Sequence, residues 1–195
     1  MVLPMSDVSQ HIQAMDAIVS MTAEELLHLN LPNKRTELVR GRLIVREPAG
    51  YRHGDVAMRL GVLIGAFVYQ RKLGRVFAAE TGFTLERDPD TVRAPDHAFI
   101  RTERVLDPPP LGFAEIAPDF AAEVLSPDDR PGEVLAKVAD WLKAGARLVW
   151  VVDPIRQHAR VYRADGSEAF VSMGDSLDGE DVLPGFTCLF DDVLS

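Results

Sequence analysis

Five consecutive apolar residues, Leu148-Val149-Trp150-Val151-Val152, are bounded by Gly145 and by the Asp153-Pro154 pair. A run this short and continuous suits a strand covered on both faces. Upstream, the spacing predicts a helix over Pro131–Ala144, closed by Gly145 in the left-handed cap position. A second apolar run, Phe120–Leu125, precedes that helix. Strand, helix and strand in this order form a βαβ unit, whose two strands are parallel and joined by a right-handed crossover.

The rest of the chain fits around that unit. Thr22 followed by Glu24 and Glu25 marks a helix start, with a hydroxyl cap and an acidic first turn. Leu38-Val39 and Leu43-Ile44-Val45 flank Arg40-Gly41 and predict a hairpin. From about His53 to Arg71 the apolar residues follow a 3.6-residue period, and Met58, Val62 and Ala66 extend apolarity round the other faces. A helix of that kind is expected to be buried. Strands are predicted at Val76–Ala79, Gly82–Leu85 and His97–Ile100, and short edge strands with glycine turns from Arg160 to Phe190. The fold class is α/β: a mixed β-sheet with a long buried helix and a βαβ unit, plus an N-terminal helix and hairpin. Residues 21–195 read as one domain. Residues 1–20 read as a lead-in, either loose or a short helix able to dock on a partner.

Composition removes several classes of function. Of the residues, 47% are hydrophobic and 26% charged, which excludes disorder as the dominant state. The net charge of -9 disfavours a broad basic surface for nucleic acid, though a local basic strip or a metal bridge to phosphate stays open. Cys188 is the one cysteine, so no intrachain disulfide and no cysteine-rich zinc site can form. That fits a reducing cytoplasm, as does the lack of a basic leader at the N-terminus. No stretch reaches the ~18 apolar residues of a membrane span.

Three carboxylates stand out by context. Asp96 follows Pro95 and opens an apolar strand, Glu123 interrupts Phe120–Leu125, and Glu37 starts the hairpin. By strand alternation Glu123 points with Ala121 and Leu125. A carboxylate there needs a partner, because burying it bare costs several kcal/mol or more. One reading is a structural acid bonded to a lysine or arginine. The other brings Asp96 and Glu123 together on neighbouring strands, where a cation between them relieves their repulsion. Hard oxygen ligands of this kind suit Mg²⁺ or Mn²⁺. On a helical wheel Lys137 falls at the border of the apolar face of the second helix and can reach the sheet, whereas Lys143 faces solvent. The alternative for Lys137 is an ordinary flanking lysine.

The ordered set Glu37-Leu-Val-Arg-Gly41, His53, Arg93-Ala-Pro-Asp96, Pro118-Asp-Phe-Ala-Ala-Glu123-Val-Leu-Ser126, Lys137, Gly145 and Trp150-Val-Val-Asp153-Pro154 resembles the Uma-two family. That bacterial family is placed in the PD-(D/E)XK nuclease superfamily, and the resemblance runs from about Met21 to the C-terminus. It implies a restriction-endonuclease-like core and an endonuclease acting on nucleic acid, DNA first, with Mg²⁺ or Mn²⁺ as cofactor. Asp96 and Glu123 are then the paired acids, with the Val124 carbonyl as a third ligand. Leu125 stands where the superfamily's E-x-K element has lysine, and Lys137 is the matching replacement from the following helix. Glu37 is implied as an outer or second-metal ligand and His53 as a phosphate or metal contact. A homodimer follows by analogy with the superfamily. Two competing readings are a catalytically inactive binding module on the nuclease fold and a metal-dependent hydrolase of a small phosphoester. Basic clusters at Lys34-Arg35 and at Arg71-Lys72 with Arg75 read either as solvated ends of their elements or as a track for a nucleic-acid backbone.

Overall fold

The computed structural model describes residues 20–195, so the lead-in expected before residue 20 lies outside the described residues. Helix α1 (Ala23–His28) opens on a capping box. Thr22 Oγ1 accepts from the Glu25 amide at 3.2 Å, and the Glu25 carboxylate accepts from the Thr22 amide at 2.8 Å. Each bond satisfies an amide that the surrounding helix start leaves without a partner. The hairpin follows as β1 (Arg35–Val39) and β2 (Arg42–Arg46). Arg40 and Gly41 both take positive φ, 49° and 74°, which suits a two-residue turn between twisted strands.

Next come α2 (Tyr51–Arg71), β3 (Gly74–Ala78), β4 (Phe83–Glu86), β5 (Thr91–Arg93) and β6 (His97–Arg101). The βαβ unit is β7 (Phe120–Val124), α3 (Pro131–Lys143) and β8 (Leu148–Asp153), and β7 and β8 pair in parallel. The chain ends with β9 (His158–Arg163), β10 (Glu168–Ser172), β11 (Ser176–Asp178), β12 (Thr187–Leu189) and α4 (Phe190–Leu194).

Two sheets matter for the site. A six-stranded mixed sheet runs β10-β9-β8-β7-β6-β3, and a four-stranded antiparallel sheet runs β2-β1-β5-β4. The short connection from β5 through Ala94 and Pro95 into β6 joins them. On one face of the large sheet, Val56, Leu60, Ile64 and Val68 of α2 pack against Phe120, Ala122, Val124, Trp150 and Val152. On the other, Val138 and Trp141 of α3 pack against Ala98, Ala121, Val149 and Val151. The strand alternation of β7 is visible directly, since Phe120, Ala122 and Val124 face α2 while Ala121 faces α3.

Three features differ from expectation. The long helix α2 buries one face, while Met58 is 65% exposed, Val62 53% and Tyr69 61%. Its apolar composition exceeds what its packing uses, because no element covers that outer face among the described residues. Strand β5 lies in a stretch for which no element was expected, and α4 follows where the expected edge strands end at Phe190. With three and five residues, neither spans enough sequence to show a period.

Candidate active site

Strands β1 and β5 are antiparallel neighbours with Leu38 opposite Val92. Leu38 and Val92 face α1, so Glu37 and Arg93 project from the opposite face and meet there. Arg93 Nη1 donates to Glu37 Oε2 at 2.9 Å, and its Nη2 and Nε donate to Asp140 Oδ2 of α3 at 2.6 and 2.9 Å. The other oxygen of Glu37 accepts from the Ala94 amide at 2.9 Å and lies 3.0 Å from Lys137 Nζ. Burial alone raises a carboxyl, but Lys137, Arg93 and the Ala94 amide outweigh it and hold Glu37 at about 2.

Lys137 lies on α3, one turn before Trp141. Its Nζ donates to Glu123 Oε2 and to the Ala94 carbonyl, both at 2.8 Å. Trp141 Nε1 donates to the remaining oxygen, Glu123 Oε1, also at 2.8 Å. Glu123 therefore faces α3, as strand alternation requires, and both of its oxygens accept a hydrogen bond. Burial pushes its carboxyl up to about 7; Lys137 pulls it down, while Asp96 and Glu37 add to the rise. Lys137 is itself half-buried, yet the three surrounding carboxylates hold its ammonium well above the usual lysine range.

Asp96 sits where β6 begins. Its amide donates to the Ala122 carbonyl at 3.0 Å, and its Oδ2 accepts from the Val124 amide at 2.7 Å. Ala122 and Val124 therefore both direct their peptide groups toward β6. At Val124 that strand has already ended, so the Val124 carbonyl points to the Asp96 side without a ladder partner from β6. His53, in the first turn of α2, places Nε2 3.2 Å from the same Oδ2. Burial raises the Asp96 carboxyl, but His53, Lys137 and the Val124 amide together hold it below the usual carboxylate range. Oδ1 carries no hydrogen bond among the described residues, and its nearest cation is Arg35 Nη1 at 3.8 Å.

These groups line one cavity of about 560 Å³, walled by the β1–β2 hairpin, the β5–β6 connection and the N-terminal half of α3. Every residue singled out from the sequence as a candidate lies on it: Glu37, His53, Asp96, Glu123, Val124 and Lys137. They come to it differently. Asp96, Glu123 and Lys137 form its charged floor. Glu37 is enclosed by Arg93, Lys137 and an amide. His53 is 7% exposed and turned onto Asp96. Glu80 is exposed at the cavity rim. Another of the chain's Pro-Asp pairs, Pro118-Asp119, lies at the opposite end of β7, where Asp119 is paired to Arg101 and Arg104. Three partners escaped sequence reasoning: Arg93, Trp141 and Asp140. The one available signal was Arg93 beside Ala94-Pro95-Asp96, a cation next to an expected acid.

A family model described as "Uma2: Putative restriction endonuclease" matches residues 23–191. The chain belongs to the Uma2 family. A crystal structure described as that of "a putative nuclease belonging to DUF820 from Anabaena variabilis ATCC 29413" matches with a TM-score of 0.76 at 23% identity. The match covers 89% of the Uma2 chain and 97% of the Anabaena chain, and at that identity it establishes a shared fold. Comparison with curated proteins finds no match. No helix among the described residues is long and apolar enough to cross a membrane.

The Uma2 site can be tested for its fit to a divalent cation. Among the described residues no group of three or more His, Cys, Asp or Glu side chains is placed to hold a metal. The donors are two carboxylates and a peptide oxygen: Asp96 Oδ1, Glu123 Oε2 and the Val124 carbonyl. A set of hard oxygens with one or two carboxylates is what Mg²⁺ takes when substrate phosphate and water complete its shell. The set fits.

Proposed function

We propose that this Uma2 protein is a divalent-metal-dependent nuclease that hydrolyses phosphodiester bonds, with DNA as its substrate. One observation carries the reading. Asp96 and Glu123, 27 positions apart in the sequence, open onto one cavity with the ammonium of Lys137 2.8 Å from Glu123. Lys137 is shared by Glu123 and Glu37, while Asp96 Oδ1 keeps a cavity-lining oxygen with no hydrogen bond among the described residues, which structural ion pairing does not use.

Asp96 Oδ1, Glu123 Oε2 and the Val124 carbonyl would hold Mg²⁺ or Mn²⁺. A bound ion supplies Lewis-acid polarisation of a phosphoryl oxygen and a more acidic water. Lys137 Nζ is placed to stabilise the negative charge that grows on phosphate during attack. Glu37 Oε1 and the Ala94 carbonyl fix that ammonium, so Glu37 is a positioning residue. Trp141 Nε1 fixes the Glu123 carboxylate, and His53 Nε2 together with the Val124 amide turns Asp96 so that Oδ1 is left free. Pre-set donors of this sort need no reorganisation at the moment of reaction. The superfamily's common homodimer and a reducing cytoplasm complete the proposal by analogy.

A second reading, a binding module without catalysis, draws on the occupied state of Glu123, whose two oxygens both already hold donors. Calorimetry with Mn²⁺ separates the two. The nuclease reading expects one ion bound by wild type and none by Asp96→Asn or Glu123→Gln. In a plasmid nicking assay at low salt, Asp96→Asn, Glu123→Gln and Lys137→Ala each abolish cleavage while keeping the wild-type circular dichroism. Wild-type nicking by all three removes the assignment, and a folded wild type that binds no Mn²⁺ favours the binding module.

A further inference from the structure

The cavity is lined by five lysines and arginines, and four of them are already paired closely with carboxylates. Lys34 is bonded to Glu47. Arg46 Nη2 lies 2.8 Å from Glu133 and its Nη1 3.6 Å from Asp129. Arg93 is divided between Glu37 and Asp140, and Lys137 between Glu123 and Glu37. Among the described residues, Arg35 is the cavity-lining cation with no carboxylate within hydrogen-bond distance. Its Nε is anchored on the Glu47 carbonyl at 3.1 Å, which leaves its terminal nitrogens directed at the cavity, 3.8 Å from Asp96 Oδ1. The side chain is 27% exposed, so it is reachable from the opening and held by its stem.

A guanidinium anchored at one edge, open at the other, and beside an acid with a free oxygen is arranged for an anion that bridges the two. A phosphodiester beside a cation on Asp96 has that form: one oxygen toward the metal and another toward the arginine fork. We propose that Arg35 is the phosphate-binding residue of this cavity, and that it holds one nucleic-acid strand by a single phosphodiester rather than a duplex by its two backbones. The inference rests on the nuclease reading and adds the form of the substrate. Charge supports it. Proteins that grip duplex DNA neutralise about 6–10 phosphates, and this cavity has one cation to spare in a chain of net charge -9.

Binding is read by fluorescence anisotropy of a labelled oligothymidylate and of a labelled duplex of equal length. Lys137→Ala, which keeps both carboxylates, serves as the non-cleaving background, in Mg²⁺, over a series of salt concentrations. The single strand is expected to bind with a shallow salt slope, about 0.7 for each phosphate neutralised. Adding Arg35→Ala weakens it about tenfold, the loss of one charge-assisted contact, and flattens the slope by about one phosphate. Arg35→Lys keeps the slope and weakens affinity, because an ammonium lacks the fork. Arg46→Ala leaves the slope unchanged. An unaltered slope in Arg35→Ala overturns the proposal, as does a duplex bound more tightly than the single strand with a slope of several phosphates, or failure of the single strand to bind. Mn²⁺ calorimetry on Arg35→Ala in the otherwise wild-type chain separates this failure from failure of the nuclease reading. Unchanged Mn²⁺ affinity keeps Arg35 on phosphate, whereas its loss shows Arg35 acting through Asp96 and overturns the assignment. If the wild type itself takes up no Mn²⁺, the metal reading falls and the slope of Arg35→Ala still decides the phosphate contact.

Discussion

Arg93 is 6% exposed and serves two acids from two different elements, Glu37 of β1 and Asp140 of α3. It thereby ties the small sheet to the helix that carries Lys137. Removing one partner from a buried ion pair leaves an unpaired charge, which costs about 3–5 kcal/mol. Arg93→Leu is expected to lose stability of that order in urea denaturation, and Arg93→Leu with Asp140→Asn to lose less, since the second change removes the acid left without another partner, whereas Glu37 keeps Lys137 and the Ala94 amide. Equal losses in the two variants would show that packing of the arginine stem, not its charge, is what matters. The same contrast shows which residues were legible in the sequence. Glu123 announced itself because an acid inside an apolar strand demands a partner, and Lys137 because its wheel position faced that strand. Arg93 and Trp141 did not, because their roles are set by partners 56 and 18 positions away. An arginine or tryptophan looks alike in sequence whether it is bonded or free.

At the scale of elements, the βαβ unit was readable throughout, because a continuous apolar run, a capped amphipathic helix and a second run each carry a period long enough to count. Helix α2 was readable as a helix but not in its burial. Its period locates the inner stripe of Val56, Leu60, Ile64 and Val68, all fully buried. Apolarity of the outer stripe does not say whether anything packs there. The structure makes the two stripes energetically unequal. Leu60→Ala opens a cavity against the sheet and is expected to cost about 2–5 kcal/mol. Met58→Glu and Val62→Lys on the outer face are expected to stay within about 0.5 kcal/mol, since they remove no buried contact. Thermal denaturation of the three variants at one protein concentration checks this. A loss of several kcal/mol from the outer pair would mean that the face is covered in solution.

For the whole molecule, the order of elements conveyed the large mixed sheet, but not the way two sheets meet. That junction depends on Ala94, whose amide and carbonyl serve Glu37 and Lys137, and backbone atoms leave no mark in a side-chain pattern. The packing of acids, lysine and histidine around the junction predicts an unusual acid response in metal-free buffer. Burial pushes His97 down to about 4, so it stays neutral in the fold. Its contribution is present above the unfolded value of about 6.5 and is lost as pH falls toward 4. Glu123, raised to about 7, behaves oppositely. Its folded form keeps a proton that the unfolded chain releases near 4.5, so its contribution is present below 4.5 and is lost as pH rises through 7. Each span is worth about 3 kcal/mol, and between about pH 4.5 and 6.5 the two slopes cancel. Below 4.5 nothing offsets Glu37, held at about 2, whose contribution disappears as pH falls toward that value. Urea midpoints in chelator are therefore expected to be flat from pH 6.5 to 4.5 and to drop steeply below. In Glu123→Gln the plateau is expected to tilt, losing about 3 kcal/mol over that interval, because His97 then titrates without its counterweight. Parallel profiles for the two proteins would show that Glu123 is ionised in the fold well below pH 7, and that the ammonium of Lys137 outweighs its burial.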